Sequence, residues 1–339
     1  MVKNGVLTFS SMPSLYSTGV TAGPLEKKKS VFAEQFDKVY EDERCDLPTN
    51  EHGHKQLMYD AVMIALSKEK KTIDKIDFFL TGDLVNQMTP SSFTAHELGI
   101  PYIGMFAACA TSVSSMITAA LLADAEQARW LIAGSSSQHN AIERQFRYPL
   151  EYGSQKGATC QWTVTAAGAV LIGQHKEGNP SICCATVGKV VDMGMTDPLN
   201  MGAAMAPAAM ETLSCHLKGH KKTIDDYDTI ITGDLGSNGF KIFKALANES
   251  GLSHTKNFRD AGEEFYGNDP SFNAGASGSG CSAAVFLSDV YKKLQKREYK
   301  RVLLIATGAL LSPLTYQQGD SIPCIAHAIE VTMDGVSVN

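Results

Sequence analysis

The sequence predicts an α/β fold built from two similar halves, and three observations carry this prediction. The segment DKIDFFLTGDL at 74–84 returns as DDYDTIITGDL at 225–235. Short apolar runs alternate with longer segments of helical periodicity along the chain. The elements around the two copies follow the same order. Strands that alternate with helices form a mainly parallel sheet covered on both faces, so the repeat predicts two such units packed together.

In the first half, each predicted element has its own pattern. HKQLMYDAVMIALSKEKK at 54–71 places apolar residues on one face of a helix. The apolar run before TGDL predicts a short buried strand, and ARWLIAGSSS at 128–137 predicts another. The half closes on the strand-like run TVTAAGAVLIG at 163–173.

The second half repeats these elements in the same order. MGAAMAPAAMETLSCHLKGHKK at 201–222 predicts the equivalent helix, and KRVLLIATGALLS at 300–312 the equivalent strand. CIAHAIEVTM at 324–333 closes the half. Gly and Pro interrupt the pattern in QHKEGNPS at 174–181, so we expect the halves to span residues 1–176 and 177–339.

The bulk composition excludes several classes of function. The 339 residues include 30 Lys or Arg and 36 Asp or Glu, a formal net charge of −6, which lacks the basic footprint of a nucleic-acid-binding protein. The first residues lack the charged and apolar regions of a signal peptide. The apolar runs are too short, or too rich in Ser and Thr, for a transmembrane helix. Any membrane role is therefore expected to be peripheral or through a partner.

The cysteines and histidines predict no metal site and no cofactor. The eight cysteines form no Cys-x-x-Cys pair, which favours free thiols in a reducing compartment over a zinc motif. His216 and His220 stand one helical turn apart. No cysteine or carboxylate accompanies them at metal-ligand spacing, so a metal site is not expected there.

Cys109 lies where a strand pattern changes into a small-residue helix pattern, in GMFAACATSVSSMITAALLA at 104–123. The amino end of a helix stabilises a thiolate, whereas burial opposes it, so the position suits a nucleophile or the remnant of one. Duplicated α/β halves with a cysteine at this turn resemble the thiolase superfamily, which includes thiolases and ketoacyl synthases. The resemblance implies a five-layered α-β-α-β-α arrangement and a homodimer.

The residues that would complete a condensing site in that superfamily are replaced. Asp234 stands where the resemblance places a base histidine, and Gly280 where it places an asparagine. An aspartate beside a thiolate repels the developing charge, so we expect no enzymatic activity. Cys324 matches the superfamily's second, acid/base cysteine, and His327 follows it. His327 either faces Cys109 as a rearranged dyad or only lines a pocket.

The stretch GSSSQHNAIERQFRYPLEYGSQKGA at 134–158 adds Arg144 and Arg147, with aromatic residues between and after them. Guanidinium groups bind carboxylates through paired hydrogen bonds, and aromatic rings stack on a flat ligand. The alternative is an ordinary helix in which Glu143 and Arg147 form a surface ion pair.

Longer motifs give a second resemblance. IERQFRYPLEYGSQK at 142–156, GALLSPLTYQQGDSIPCIAHA at 308–328 and the two TGDL copies are similar to segments of the stage V sporulation AD family of spore-forming bacteria. The resemblance covers essentially the whole chain. It implies non-catalytic binding of dipicolinic acid (pyridine-2,6-dicarboxylate), with or without Ca²⁺, for uptake into the developing spore. It further implies membrane-embedded partners from the same operon and a peripheral place on the spore inner membrane.

The expected ligand site combines both halves. Dipicolinate is flat, aromatic and doubly negative at neutral pH, so it needs N–H or cationic donors at two ends and an apolar wall. Helix amino ends at Cys109 and near Gly280 would supply backbone donors. The site is predicted to comprise Cys109, Asp234, Gly280, Cys324, His327, Arg144 and Arg147. Two other functions stay open, an acyltransferase with Cys109 as nucleophile and a structural adaptor that binds no small molecule.

Overall fold

The computed structural model describes residues 5–146, 156–252, 255–267 and 269–333. Its strands, in chain order, are β1 Val6–Thr8, β2 Ser14–Ala22, β3 Lys38–Val39, β4 Phe78–Thr81, β5 Tyr102–Gly104, β6 Trp130–Ser137, β7 Trp162–Thr163, β8 Ala166–Gly173, β9 Ser181–Val187, β10 Thr229–Thr232, β11 Phe258–Asp260, β12 Ala276–Ser277, β13 Arg301–Ala309 and β14 Cys324–Thr332.

The α-helices are α1 Pro24–Lys29, α2 Asn50–Lys68, α3 Thr89–Leu98, α4 Thr111–Asp124, α5 His139–Phe146, α6 Met201–His220, α7 Gly236–Glu249, α8 Ala261–Glu264, α9 Ser279–Val285, α10 Tyr291–Gln295 and α11 Pro313–Gln317. A π-helical turn, Phe286–Val290, joins α9 to α10. Within the described ranges, no helix combines the length and the apolar character needed to cross a bilayer.

The main sheet consists of two halves with the same internal order. One half runs β5-β4-β6-β8-β2 and the other β11-β10-β13-β14-β9. They meet where Ser14 of β2 pairs with Ser181 of β9. β4 is parallel to β5 and β6, and β10 is parallel to β11 and β13, but the next two strands of each half are antiparallel. The prediction of a mainly parallel sheet is therefore wrong. The connections from β6 to β8 and from β13 to β14 do not return the chain to the end of the sheet where the first strand began, so the second strand of each pair runs in the opposite direction.

The repeat in the sequence reappears as a repeat of secondary structure. β4 begins at Phe78 and β10 at Thr229, and 229 − 78 is 151. α2 begins at Asn50 and α6 at Met201, again 151 positions apart. The duplicated order of elements is thus confirmed, while the boundary between residues 176 and 177 stays a prediction.

The helices and half-sheets stack in the five layers expected. α4 lies in the centre and contacts β6 and β8 of one half and β13 and β14 of the other, with α9 beside it. α2 and α3 cover the outer face of the first half, and α6 and α7 that of the second. Successive side chains of a strand point to opposite faces of the sheet, so each strand packs against both neighbouring layers. Phe79 packs toward α2, whereas Leu80 packs toward the central layer.

Gly19 of β2 provides a test of this layering, because it lies directly against α2. A Cβ at this position would approach the backbone oxygen of Ala61 to 1.9 Å. The helix would have to move away, so Gly19→Ala is expected to lower the free energy of unfolding by about 1–3 kcal/mol. Gly157→Ala is the matched control, since a Cβ there meets no described atom within 4 Å. Equal urea midpoints for the two variants would contradict the close contact of helix and strand.

Candidate functional site

A cavity of about 100 Å³ lies beside Cys109, where elements of both halves meet. Its wall is mainly apolar and includes Phe106, Ile142, Met201 and Met205. The polar groups on the wall are few: Cys109, Glu143, Thr163 and Ser277. The space holds several water-sized groups, and a mostly apolar wall with a few polar groups is typical of small-molecule sites.

A tight turn between β5 and α4 places Cys109 on the wall. Ala108 adopts a φ of 49°, a left-handed conformation that is uncommon for a residue with a side chain. The hydroxyl of Thr111 accepts a hydrogen bond from the N–H of Ala107 at 3.1 Å and donates one to the carbonyl of Ala108 at 2.6 Å. These bonds hold the strained turn, and such strain is concentrated at functional sites.

Asp234 is buried at the base of the site and joins three elements. Its carboxylate accepts hydrogen bonds from the Thr307 hydroxyl and the Gly278 N–H, each at 3.0 Å, and from the Cys109 thiol. Gly278 adopts a φ of 108°, which glycine tolerates and other residues rarely adopt. This conformation directs the Gly278 N–H to the carboxylate.

Burial and the neighbouring Asp234 carboxylate keep the Cys109 thiol protonated. Burial raises the pKa of Asp234 to about 7, although its hydrogen bonds oppose the shift. Burial also raises the pKa of the Cys109 thiol well above its usual range, and the nearby Asp234 carboxylate raises it further. Cys109 is therefore a neutral thiol at neutral pH, because these two effects outweigh the amino end of α4.

Asp83 occupies the equivalent position in the first repeat, since 234 − 83 is 151, but it has a different role. Its carboxylate accepts hydrogen bonds from the N–H groups of Val85 and Ser91 and from the Ser91 hydroxyl. It thereby ties the loop after β4 to α3. Both copies of TGDL thus end a short strand, but among the described residues it is the second carboxylate that contacts Cys109.

A buried ion pair that the sequence did not predict borders the cavity. Glu143 accepts hydrogen bonds from the Lys156 ammonium at 3.2 Å and the Thr163 hydroxyl at 3.0 Å, and both charged side chains are 8% exposed. The Lys156 ammonium also lies 4.2 Å from the centre of the Trp162 ring. The segment between Glu143 and Lys156 has no periodic pattern, so their pairing had no signal in the sequence.

The structure does not bring Arg144 to the cavity. Arg144 is exposed on α5 and pairs with Glu51 of α2. Consecutive helical positions point about 100° apart, so the inward direction of Glu143 turns Arg144 outward. Arg147 lies outside the described residues.

The backbone donors expected near Gly280 are used within the protein. Gly280 is buried in the central layer and donates its N–H to the Ser137 hydroxyl at 3.2 Å. A Cβ at Gly280 would lie 2.3 Å from the Ala166 backbone oxygen, so this glycine permits close packing of α9 on the sheet. The Gly278 N–H is already bonded to Asp234. Gly280 is therefore not on the cavity wall.

Cys324 and His327 also lie away from the cavity wall. Cys324 packs with the apolar residues beneath α6, and burial raises the pKa of its thiol to about 12. His327 accepts a hydrogen bond at Nδ1 from the Gly188 N–H at 3.2 Å, and burial lowers its pKa to about 4. In the part of the chain that the structure describes, neither side chain contacts Cys109, so the rearranged dyad does not form. Both residues belong instead to β14 in the interior of the sheet.

The sequence matches the family described as Stage V sporulation protein AD over residues 3–332. It is 45% identical over 313 residues to stage V sporulation protein AD of Bacillus subtilis (strain 168), which covers 92% of each chain. The match spans both halves of the fold and includes every element of the cavity.

Several solved structures have a similar fold. Human mitochondrial 3-ketoacyl-CoA thiolase in complex with CoA is 12% identical, with a TM-score of 0.58 over 97% of this chain and 100% of that chain. The 3-oxoacyl-[acyl-carrier-protein] synthase III of Aquifex aeolicus VF5 is 11% identical, with a TM-score of 0.59 over 94% and 99%. A variant of Xanthomonas campestris OleA is 12% identical, with a TM-score of 0.60 over 96% and 99%. These similarities confirm the thiolase-like fold.

Replacement of Asp234 tests the control of the Cys109 thiol. Asp234→Asn removes the adjacent negative charge, so the pKa of Cys109 should fall and its alkylation by iodoacetamide at pH 8 should accelerate, about tenfold for each pKa unit. Mass spectrometry of the Cys109 peptide follows the rate separately from the other thiols. Asp83→Asn is the matched control, and we expect it to leave the rate unchanged. An unchanged rate in Asp234→Asn would show that the carboxylate does not set the reactivity of Cys109.

Proposed function

The chain belongs to the stage V sporulation protein AD family, and from that premise we propose that it binds dipicolinic acid without transforming it, in the cavity beside Cys109. It is thus a sporulation protein with a thiolase-like fold. The observation that carries the proposal is the contact between Asp234 and Cys109, which holds the thiol protonated on a mainly apolar wall.

The chemistry of that contact favours binding over acyl transfer. A cysteine nucleophile attacks as its thiolate and needs a base that accepts its proton. The pKa of Cys109 lies above that of Asp234, so transfer of the proton to the carboxylate is uphill. A carboxylate beside the thiol would also destabilise the oxyanion of a tetrahedral intermediate. Both effects oppose an acyltransferase that uses Cys109.

The wall offers a dipicolinate ring an apolar surface and a small number of hydrogen-bond donors. Phe106, Ile142 and Met205 supply apolar area, and the Ser277 hydroxyl is a polar group on the wall. When Asp234 is protonated, its own O–H can donate to the Cys109 sulfur, which leaves the Cys109 S–H available to the ligand. Within the described ranges, no Lys or Arg lines the wall. The charge of Lys156 lies behind it, 3.2 Å from Glu143. Partial protonation of Asp234 near neutral pH reduces the repulsion of an anion.

We also propose that the protein has a role in spore formation, which its resemblance to the family implies. The protein would act with membrane-embedded partners at the spore inner membrane in moving dipicolinate into the developing spore, and would do so as a homodimer. Light scattering on the purified chain tests the dimer. Fractionation of sporulating cells, with and without the membrane-embedded partners, tests the location.

Calorimetric titration with dipicolinate, with and without Ca²⁺, tests the binding. Cys109→Ala removes a donor on the wall, and we expect roughly 2- to 12-fold weaker binding, the equivalent of one hydrogen bond. Cys281→Ala and His327→Ala are the controls, because neither side chain lines the cavity, and both should keep the wild-type affinity. The same preparations should not hydrolyse an acyl-CoA thioester.

Two outcomes would reject the proposal. Absence of any heat of binding, with and without Ca²⁺, would favour a structural adaptor. Thioester turnover that disappears in Cys109→Ala would favour the acyltransferase.

The pKa of Asp234 predicts a pH dependence of the binding. With a pKa of about 7, Asp234 is mainly neutral at pH 6 and mainly charged at pH 8. Both carboxyl groups of the ligand are ionised throughout this range, so repulsion increases with pH and the affinity should fall. Unit charges 10 Å apart repel by about 1.7 kcal/mol at an effective dielectric constant of about 20, so we expect a loss of about tenfold.

Asp234→Asn should remove most of this pH dependence, whereas Asp83→Asn should retain it. A wild-type affinity that is constant from pH 6 to pH 8 would contradict the placement of the ligand beside Asp234.

A further inference from the structure

A cluster of cysteine, histidine and carboxylate side chains lies at the opposite end of α6 from the cavity. His216 and His220 lie one turn apart near the carboxyl end of this helix, whereas Met201 at its amino end lines the cavity. The 15 residues from Met201 to His216 correspond to about 22 Å along the helix axis. The cluster is therefore separate from the site described above, and no conclusion about it depends on the proposed function.

A β-bulge brings two consecutive cysteines to this cluster. Cys184 pairs with Glu330 of β14 and Ile182 with Val331, which leaves Cys183 as the extra residue of β9. Consecutive side chains of a regular strand point to opposite faces, but a bulge changes this direction. The two Sγ atoms lie 3.8 Å apart, and both contact the Glu330 carboxylate, at 3.0 Å from Cys183 and 3.3 Å from Cys184.

The ligand atoms are close enough together to surround one metal ion. The Sγ of Cys184 and a ring nitrogen from each of His216 and His220 all lie within 4.8 Å of one another, and Cys183, Cys184 and Glu330 form an overlapping set within the same limit. Zn–S bonds of about 2.3 Å and Zn–N bonds of about 2.0–2.1 Å give ligand separations of about 3.3–3.8 Å in a tetrahedron. Small side-chain movements would reach that geometry.

Neighbouring groups orient the first of the two histidines. His216 Nδ1 is hydrogen-bonded to the Thr186 hydroxyl at 2.9 Å, and Nε2 lies 3.1 Å from the Tyr227 hydroxyl and 3.6 Å from the Glu330 carboxylate. A partner on one ring nitrogen that directs the other to the ion is the usual arrangement of a metal-binding histidine. Thr186 therefore orients the ring with Nε2 toward the cluster, where a metal ion would replace the Tyr227 hydroxyl as the partner of this nitrogen.

The charges around Glu330 indicate which kind of ion fits. The Lys222 ammonium contacts both oxygens of this carboxylate, and the Tyr227 hydroxyl donates to Oε2 at 2.8 Å. The Glu330 carboxylate, a hard oxygen ligand, is thus already paired with the Lys222 ammonium. The sulfur and imidazole ligands remain, and these favour Zn²⁺ and similar soft ions over Ca²⁺ or Mg²⁺.

We propose that Cys184, His216 and His220 bind a divalent ion of the Zn²⁺ class, with Cys183 as the fourth ligand after rotation of its side chain. Two thiols lose their protons to solvent when the ion binds, so the charge of the ion is balanced by two thiolates. Cys183 and His220 are partly exposed, which gives the ion a route to the buried Cys184 and His216. The bound ion would fasten α6 to β9.

Titration of the reduced, chelator-treated full chain with Co²⁺ tests the site. We expect one equivalent to bind, with the thiolate-to-cobalt charge-transfer band and the intense visible bands of a tetrahedral ion, and Zn²⁺ to abolish both. Cys184→Ser should lower the charge-transfer intensity, because Cys183 would remain as the one thiolate ligand. His220→Ala, which changes a half-exposed side chain and so preserves the fold, should weaken binding at least tenfold. His96→Ala, at an exposed position of α3, and Cys45→Ser in the first half are the matched controls.

The proposal is overturned if the reduced protein shows no tetrahedral cobalt spectrum, or if His220→Ala binds Co²⁺ as tightly as the wild type. Circular dichroism checks the fold of each variant, and mass spectrometry after alkylation checks that Cys183 and Cys184 are reduced before the titration. Loss of dipicolinate binding would leave the cobalt result unaffected, so the two proposals fail separately.

Discussion

The site is organised by one buried carboxylate. Asp234 has almost no exposed surface, and a buried carboxylate is strongly destabilising unless donors surround it. Its donors come from the turn before α9, the end of β13 and the Cys109 turn before α4. Cys109 belongs to the first half and the other two donors to the second, so Asp234 links the two halves at the cavity. The same contact keeps the thiol protonated.

The two repeats show how one local motif acquires different roles. Both TGDL copies follow a parallel strand, and both place an aspartate at the carboxyl end of that strand. Asp83 uses its carboxylate to cap its own loop, at short range in the chain. In the second repeat Asp260 does this capping, because it accepts hydrogen bonds from the N–H groups of Leu235 and Gly236. Asp234 is thereby available to Cys109.

α6 connects the cavity beside Cys109 with the cluster of Cys184, His216 and His220. Its amino end contributes Met201 and Met205 to the cavity, and its carboxyl end carries His216 and His220. Between them the helix buries small residues such as Ala206 and Ala209 against the sheet. These small side chains permit the close packing of α6 on the sheet.

The duplicated α/β order, the start of β4 and β10, the paired helices and the special position of Cys109 all followed from the sequence alone. They are local properties, because each short segment contains the periodic apolar residues and the turn residues that determine them. Only the tertiary structure decided four other features: the Asp234–Cys109 contact, the Glu143–Lys156 pair, the outward direction of Arg144 and the cluster of Cys184 with His216. Each of them depends on contacts between side chains that are distant in the sequence, or on a change of side-chain direction at a β-bulge. No local sequence pattern predicts which distant side chain will lie beside a given buried group.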